Sequence, residues 1–178
     1  EPPLITSSPN FSVPENQTAI GTVTAIDNVS SSIIFSVSGA ELTITENGLL
    51  SFIDVPDYEV KASYEATVTA SDGSNATTQA ITVSVVDVNE APVFSSASLF
   101  SVDENQTSVG TVTATDPEGD ALTFSTSDPD LSITSAGDLT FKIAPDYETK
   151  SSYPAVITVS DGSNATTQAI TVSVVDVN

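Results

Sequence analysis

The chain contains no cysteine, histidine, methionine or tryptophan, and its only basic side chains are Lys61, Lys142 and Lys150. Each absence excludes a class of chemistry. Without cysteine no disulfide can form, so stability must come from packing or from bound metal. Without histidine the commonest general base and the commonest transition-metal ligand are both missing. Three cations against 24 acids leave a formal charge of −21 at pH 7. Such a surface repels nucleic acid and anionic lipid, so neither is expected as a partner. No apolar run reaches the length of a membrane span, and no direct membrane insertion is expected. The lack of an initiator methionine and of a signal peptide is what an excised fragment would show.

What is present repeats at a fixed offset of 89 residues. Glu15 recurs as Glu104, Asp27 as Asp116, Asp57-Tyr58-Glu59 as Asp146-Tyr147-Glu148, and Asp72 as Asp161. Residues 71–89 reappear unchanged at 160–178. Glu1 and Pro3 are in phase with Glu90 and Pro92. The pattern predicts two modules of a longer tandem array, with boundaries at 1–89 and 90–178. The recurring carboxylates sit at predicted strand ends and in the connector, where a hard cation can collect them.

Within each module the periodicity is that of strands. In the first, apolar residues alternate in Gly21-Val23-Ala25, Ile33-Phe35-Val37, Leu42-Ile44 and Leu50-Phe52. The alternation continues in Tyr64-Ala66-Val68-Ala70 and Ile81-Val83-Val85. With a short first strand around Phe11–Val13 this makes seven strands. Seven short strands separated by Gly, Pro, Asn and Asp predict an all-β fold of two Greek-key sandwiches. First and last strands of such a sandwich end at opposite poles, so the modules are expected to stack end to end. Pro92 limits the flexibility of the connector.

These residues resemble extracellular cadherin repeats, in the version common in large bacterial surface proteins. Pro14-Glu15-Asn16 and Asp103-Glu104-Asn105 look like the family's glutamate motif near the first strand. The two Asp-Tyr-Glu triplets look like its D-x-E motif. TATDPEGD (113–120) is similar to its acidic motif after the second strand, and VSDG (159–162) to the aspartate ending the sixth. DVNEAPVF (87–94) resembles the calcium-binding linker between consecutive repeats. One tripeptide is weak evidence; five in order, twice, is strong.

The resemblance implies Ca2+ between the modules, two or three ions. Calcium takes six to eight oxygen ligands from carboxylates, carbonyls and Asn side chains. The implied ligands are Glu15, Asp57 and Glu59 from the lower tip, and Asp87, the Val88 carbonyl, Asn89 and Glu90 from the linker. The upper module adds Asp116, Glu118 and Asp161. Two carboxylates about 4 Å apart repel by roughly 4 kcal/mol at an effective dielectric near 20. Without cation the joint should therefore loosen, and with it stiffen. Magnesium's strict octahedron suits this set poorly. Incomplete sites are implied at the two ends, from Asp27 and Asp72 and from Glu104, Asp146, Glu148, Asp176 and Asn178.

Several residues have a second reading. Asp72 and Asp161 precede glycine and read equally as turn residues. Asn28 reads equally as a turn residue, and Tyr58 and Tyr147 as packing residues. Repeat 1 has Val29 and Ser31 where repeat 2 has Glu118 and Asp120, so the site at its start should be the weaker. The linker is one residue shorter than the animal form D-x-N-D-N-x-P and carries Glu90 for an aspartate. The absence of tryptophan excludes the tryptophan-swapping adhesion of some animal members. Six N-x-[ST] triplets, at Asn10, Asn16, Asn28, Asn75, Asn105 and Asn164, are the harvest of a Ser/Thr/Asn-rich chain. Paired carboxylates are the tools of glycosidases, but no His, Arg or Trp is present to orient a sugar, and no enzyme is expected.

The reading that results is a non-catalytic extracellular doublet, secreted or at a cell surface. It serves as a calcium-stiffened spacer or as an adhesive module. Its partners are neighbouring repeats, with another copy or a surface protein as further candidates. The alternative is a carbohydrate-binding accessory module of a secreted polysaccharide-active protein, with polysaccharide as partner.

Overall fold

A computed structural model describes residues 1–28 and 32–178. Val29 and Ser31 lie outside the described residues. The chain divides into two compact units, Glu1–Val88 and Asn89–Asn178. The first contains β1 (Leu4–Ile5), β2 (Asn10–Pro14), β3 (Ala19–Thr22), β4 (Ala25–Ile26), β5 (Ile34–Val37), β6 (Leu42–Ile44), β7 (Leu49–Phe52), β8 (Ser63–Ser71) and β9 (Ala76–Val86). The second repeats the series in phase. Its strands are β10 (Val93–Phe94), β11 (Leu99–Asp103), β12 (Ser108–Thr111), β13 (Ala114–Thr115), β14 (Thr123–Thr126), β15 (Leu131–Ile133), β16 (Asp138–Phe141), β17 (Ser152–Ser160) and β18 (Ala165–Val175). Among the described residues there is no helix.

In the first unit one sheet runs β2-β9-β8-β5 and the other β3-β7-β6, with β1 and β4 paired as a short ribbon. The nine segments trace seven strand paths. Val23 N–H donates to the Gly48 carbonyl at 2.8 Å between β3 and β4, so those two continue one strand. The first path changes sheets: β1 pairs antiparallel with β4, then β2 pairs parallel with β9. The second unit has the same order, β11-β18-β17-β14 and β12-β16-β15, with the ribbon β10-β13.

Alternation dictates what is buried. Val68, Ala70, Ile81, Val83 and Val85 point inward from β8 and β9, against Leu42, Leu50 and Phe52 from the facing sheet. Ile157, Ile170, Val172, Leu131, Leu139 and Phe141 do the same in the second unit. Each large aliphatic so buried contributes about 1.5–3 kcal/mol. Phe52 meets Tyr64 edge-on at 4.8 Å, and Phe141 meets Tyr153 at 4.7 Å. Gly48 closes the β6–β7 hairpin at φ +85°, and a Cβ there would overlap the Val23 carbonyl oxygen.

The few cations hold down the loops that carry the Asp-Tyr-Glu triplets. Lys61 pairs with Glu41 at 2.6 Å and lies 4.4 Å above the Tyr64 ring. Lys150 pairs with Asp130 at 3.3 Å and lies 3.9 Å above Tyr153. Lys142 donates to the Pro129 carbonyl at 2.7 Å. These exposed pairs are worth about 0–1 kcal/mol each. They tie the ends of these loops to the neighbouring strands and turns.

Candidate metal centre

At the end of the first unit where β2 and β9 finish side by side, the chain turns on Glu15. Its N–H donates to the Val86 carbonyl at 3.0 Å, and Asn16 N–H to that of Pro56 at 3.1 Å. Asn16 adopts φ +64°, a left-handed conformation that Asn tolerates better than most residues. Glu15 is 3% exposed, a buried charged residue. One oxygen accepts from Tyr58 N–H at 2.7 Å, the other from Val88 N–H at 2.8 Å. Such donors replace the water that a buried carboxylate loses. Carboxylate oxygens of Glu15, Glu59 and Asp87 lie within 4.8 Å of one another. Glu59 and Asp87 are exposed.

Asp57 also shapes the loop. Its Oδ1 accepts from Val60 N–H at 3.0 Å and its carbonyl from Lys61 N–H at 2.9 Å, which caps the turn that presents Glu59.

The second unit rebuilds this end. Glu104 accepts from Tyr147 N–H at 3.4 Å and Val177 N–H at 3.0 Å, and joins Glu148 and Asp176 in a second trio. Asp146 caps its turn through Glu148 N–H at 3.0 Å and the Thr149 hydroxyl at 2.8 Å. The Thr149 hydroxyl, with neighbouring N–H groups, holds the Asp146 carboxyl below its ordinary range. Asn178, the repeat counterpart of Asn89, is exposed.

The opposite end of the second unit is organised by Asp161. Its Oδ1 accepts from Ser163 and Asn164 N–H, both at 2.6 Å, and its Oδ2 from the Asn89 amide at 2.8 Å. The Asn89 amide, then Asn164 N–H, hold the Asp161 carboxyl below its usual range. Asn164 returns its own amide to the Asn89 carbonyl at 3.0 Å. Glu90 N–H donates to Glu118 at 3.3 Å. The linker residues Asn89 and Glu90 are thus bound to the second unit. Asp116 accepts from Asp120 N–H at 3.1 Å. Its Oδ2, and Oε1 of Glu118, are shut off from solvent with no hydrogen-bond partner. Desolvation, followed by the neighbouring Asp116 and Glu90 charges, pushes the Glu118 carboxyl up.

In the first unit Asp72 plays the part of Asp161, accepting from Ser74 N–H at 2.7 Å and from Asn75 N–H at 2.6 Å. Those donors, Asn75 first, lower its pKa to about 2. Asp27 holds the place of Asp116 and is half-buried. The turn reading of Asp72 and Asp161 holds for one oxygen of each; the other accepts from an amide, Asn75 Nδ2 at 3.2 Å for Asp72 and Asn89 for Asp161.

Sequence reasoning missed three organisers of these ends: the backbone donors Tyr58 and Tyr147, the amide of Asn164, and left-handed Asn16 and Asn105. A signal was available for the second, since Asp-Gly-Ser-Asn closes an Asx-type turn.

The donors at both ends are oxygen alone, from carboxylates, amides and main chain, which suits a hard cation and not a soft metal. Solvent-shielded carboxylate oxygens without partners, as at Asp116 and Glu118, are the atoms a cation would satisfy. Among the described residues no helix is long and apolar enough to cross a membrane.

A family model described as Bacterial Ig domain matches residues 89–175. Chitinase A of Pseudoalteromonas piscicida is 35% identical over 126 residues, covering 70% of this chain and 15% of that protein. Cadherin EGF LAG seven-pass G-type receptor 2 of Mus musculus is 32% identical over 180 residues, covering 87% of this chain and 6% of the receptor. The chain therefore spans only a small share of these relatives. Human protocadherin-24 EC1-2 superposes with TM-score 0.68 at 19% identity, covering 99% of each chain. Strand order, the repeated acidic ends and these likenesses agree: the chain is a tandem pair of cadherin-like repeats, each an all-β sandwich.

Proposed function

We propose that the doublet is a calcium-binding segment of a longer extracellular array, and that bound calcium stiffens the joint between its repeats. The observation that carries this reading is the buried Glu15 carboxylate, held by two N–H groups within a trio of acids beside the departing linker. The proposed ligands are Glu15, Asp57, Glu59, Asp87, the Val88 carbonyl, Asn89, Glu90, Asp116, Glu118 and Asp161, for two or three ions. Calcium tolerates an irregular set of six to eight oxygens and neutralises carboxylates that otherwise repel. The orphaned oxygens of Asp116 and Glu118 and the absence of nitrogen and sulfur donors support that choice of metal. Domains of 1–89 and 90–178 stacked end to end would then form a rod, secreted or at a cell surface. Its work is spacing or adhesion, not catalysis.

Calorimetry of the chain against calcium, with small-angle scattering on the same sample, tests the proposal. Binding below millimolar calcium, with a longer maximum dimension in calcium, is expected. No binding below millimolar calcium would overturn it. Glu15→Ala should abolish the lengthening, and Glu104→Ala should leave it intact. Equal behaviour of the two would reduce the acids to surface charge.

The likeness to a chitinase supports a second reading, an accessory module of a polysaccharide-active protein. Retention on insoluble chitin, set against a bare-resin control, separates it from the first.

A further inference from the structure

Strands β9 and β18 carry the same eleven residues. On the outward face beside them, four positions of one patch change. Asn10, Glu65 and Thr67 of the first unit are replaced by the apolar Leu99, Pro154 and Val156 in the second, and Pro9 by Ser98 at the rim. Register sets Leu99 and Pro154 on either side of Thr171, and Val156 opposite Ala169. Leu99 is 75% exposed and Val156 40%. A shallow depression of about 390 Å³ lies between them and contains no charged residue. Its counterpart in the first unit holds Glu65.

The fold does not require these apolar side chains, because the first unit builds the same strands with polar ones. Nor does it require a proline. Val156 N–H donates to Ser127 Oγ, on the β14 side, so position 154 has its nitrogen on that side too, beyond the last β14–β17 pair at Thr126 and Ile157. A ladder bond is neither made nor lost there.

At the margin the exchange runs the other way. Pro14 is replaced by Asp103, and Gly39 by Asp128. Asp103 shares the outward face of β11 with Leu99, four residues along. Asp128 follows Ser127, which lines the depression. The centre has lost its carboxylate, while the same face has gained Asp103 farther along β11 and Asp128 next to the lining Ser127. An uncharged apolar centre inside a polar border is the anatomy of a docking face. The sign of the border selects the occupant. A second copy would bring acidic border against acidic border, whereas cationic groups would be attracted.

We propose that this face of the second unit docks a cationic protein segment, an aliphatic anchor flanked by lysine or arginine. The face involves none of the acids assigned to the metal, so the proposal stands or falls independently of the calcium reading.

The test uses the whole chain with calcium present and a synthetic peptide bearing a Leu-Leu-Val centre with two lysines on each side. Methyl NMR should show shifts at Leu99 and Val156, weakening as salt rises. The triple variant Leu99→Asn, Pro154→Glu, Val156→Thr carries residues the first unit already accommodates, so it should fold. It should bind at least tenfold more weakly. Asp103→Asn with Asp128→Asn should bind severalfold more weakly and lose most of the salt dependence. A serine-centred peptide should leave both methyls unmoved. Equal binding by the triple variant or by the serine-centred peptide would overturn the proposal, leaving charge alone. Absence of any shift at millimolar peptide would overturn it as well. So would self-association that salt strengthens and the triple variant abolishes, since the occupant would then be a second copy.

Discussion

Glu15 is a buried charge that needs its donors, and its donors need it. Replacing it with alanine strands Tyr58 and Val88 N–H, at a cost of about 1–3 kcal/mol. The longer bonds and partial exposure of Glu104 make the corresponding change cheaper. In chelator, Glu15→Ala should lower the thermal midpoint of its unit by several degrees, and Glu104→Ala by less. Calorimetric melts of the two variants decide it. Asp72 gives a pH prediction with a definite sign. Its folded pKa of about 2 lies below the ordinary value of 3.8, so its contribution is complete above pH 4 and is lost as pH falls towards 2. Asp72→Asn should remove the part of the acid destabilisation that falls between pH 4 and 2. An NMR titration of the Asp72 carboxyl, with its midpoint near 2, would check the cause directly.

Hairpins and strands tell how much was readable in advance. The long strands β8 and β9 were legible because alternation over nine and eleven residues leaves no competing period. The sheet change between β1 and β2 was not, since a two-residue segment such as Leu4–Ile5 carries no period at all. The acidic ends were legible as repeated motifs, but Asp57 and Asp146 show the limit. Spacing groups them with Glu59 and Glu148, but does not show that one oxygen of Asp57 and both of Asp146 also cap a turn. Only geometry separates the acid that presents from the acid that is presented. Gly48 tests the hairpin reading. Gly48→Ala combines left-handed strain with overlap on the Val23 carbonyl and should cost about 2–4 kcal/mol. Gly73→Ala has a similar φ of +92° but open space, and should cost about 1–2 kcal/mol. Urea midpoints of the two variants should rank in that order.

For the whole molecule, the feature with the widest consequence is the verbatim recurrence of β9 as β18. In the native fold β2 and β8 flank β9, and β11 and β17 flank β18. Before folding, nothing in those eleven residues tells either sheet which copy is its own. The strand that completes one sandwich also fits the other, and only chain proximity, a matter of loop entropy, favours the correct choice. Neighbouring repeats are therefore prone to strand exchange, a characteristic failure of repeat proteins. Refolding of the doublet from denaturant should show a slow, misassembled fraction that the isolated second unit lacks. Interrupted-refolding experiments would count it. Distinguishing the copies by outward-facing changes on β18 alone, such as Thr167→Lys, should shrink it. The price of building an array from one template is an ambiguity of self-recognition, which ribosomal synthesis relieves by letting the first copy close before the second emerges.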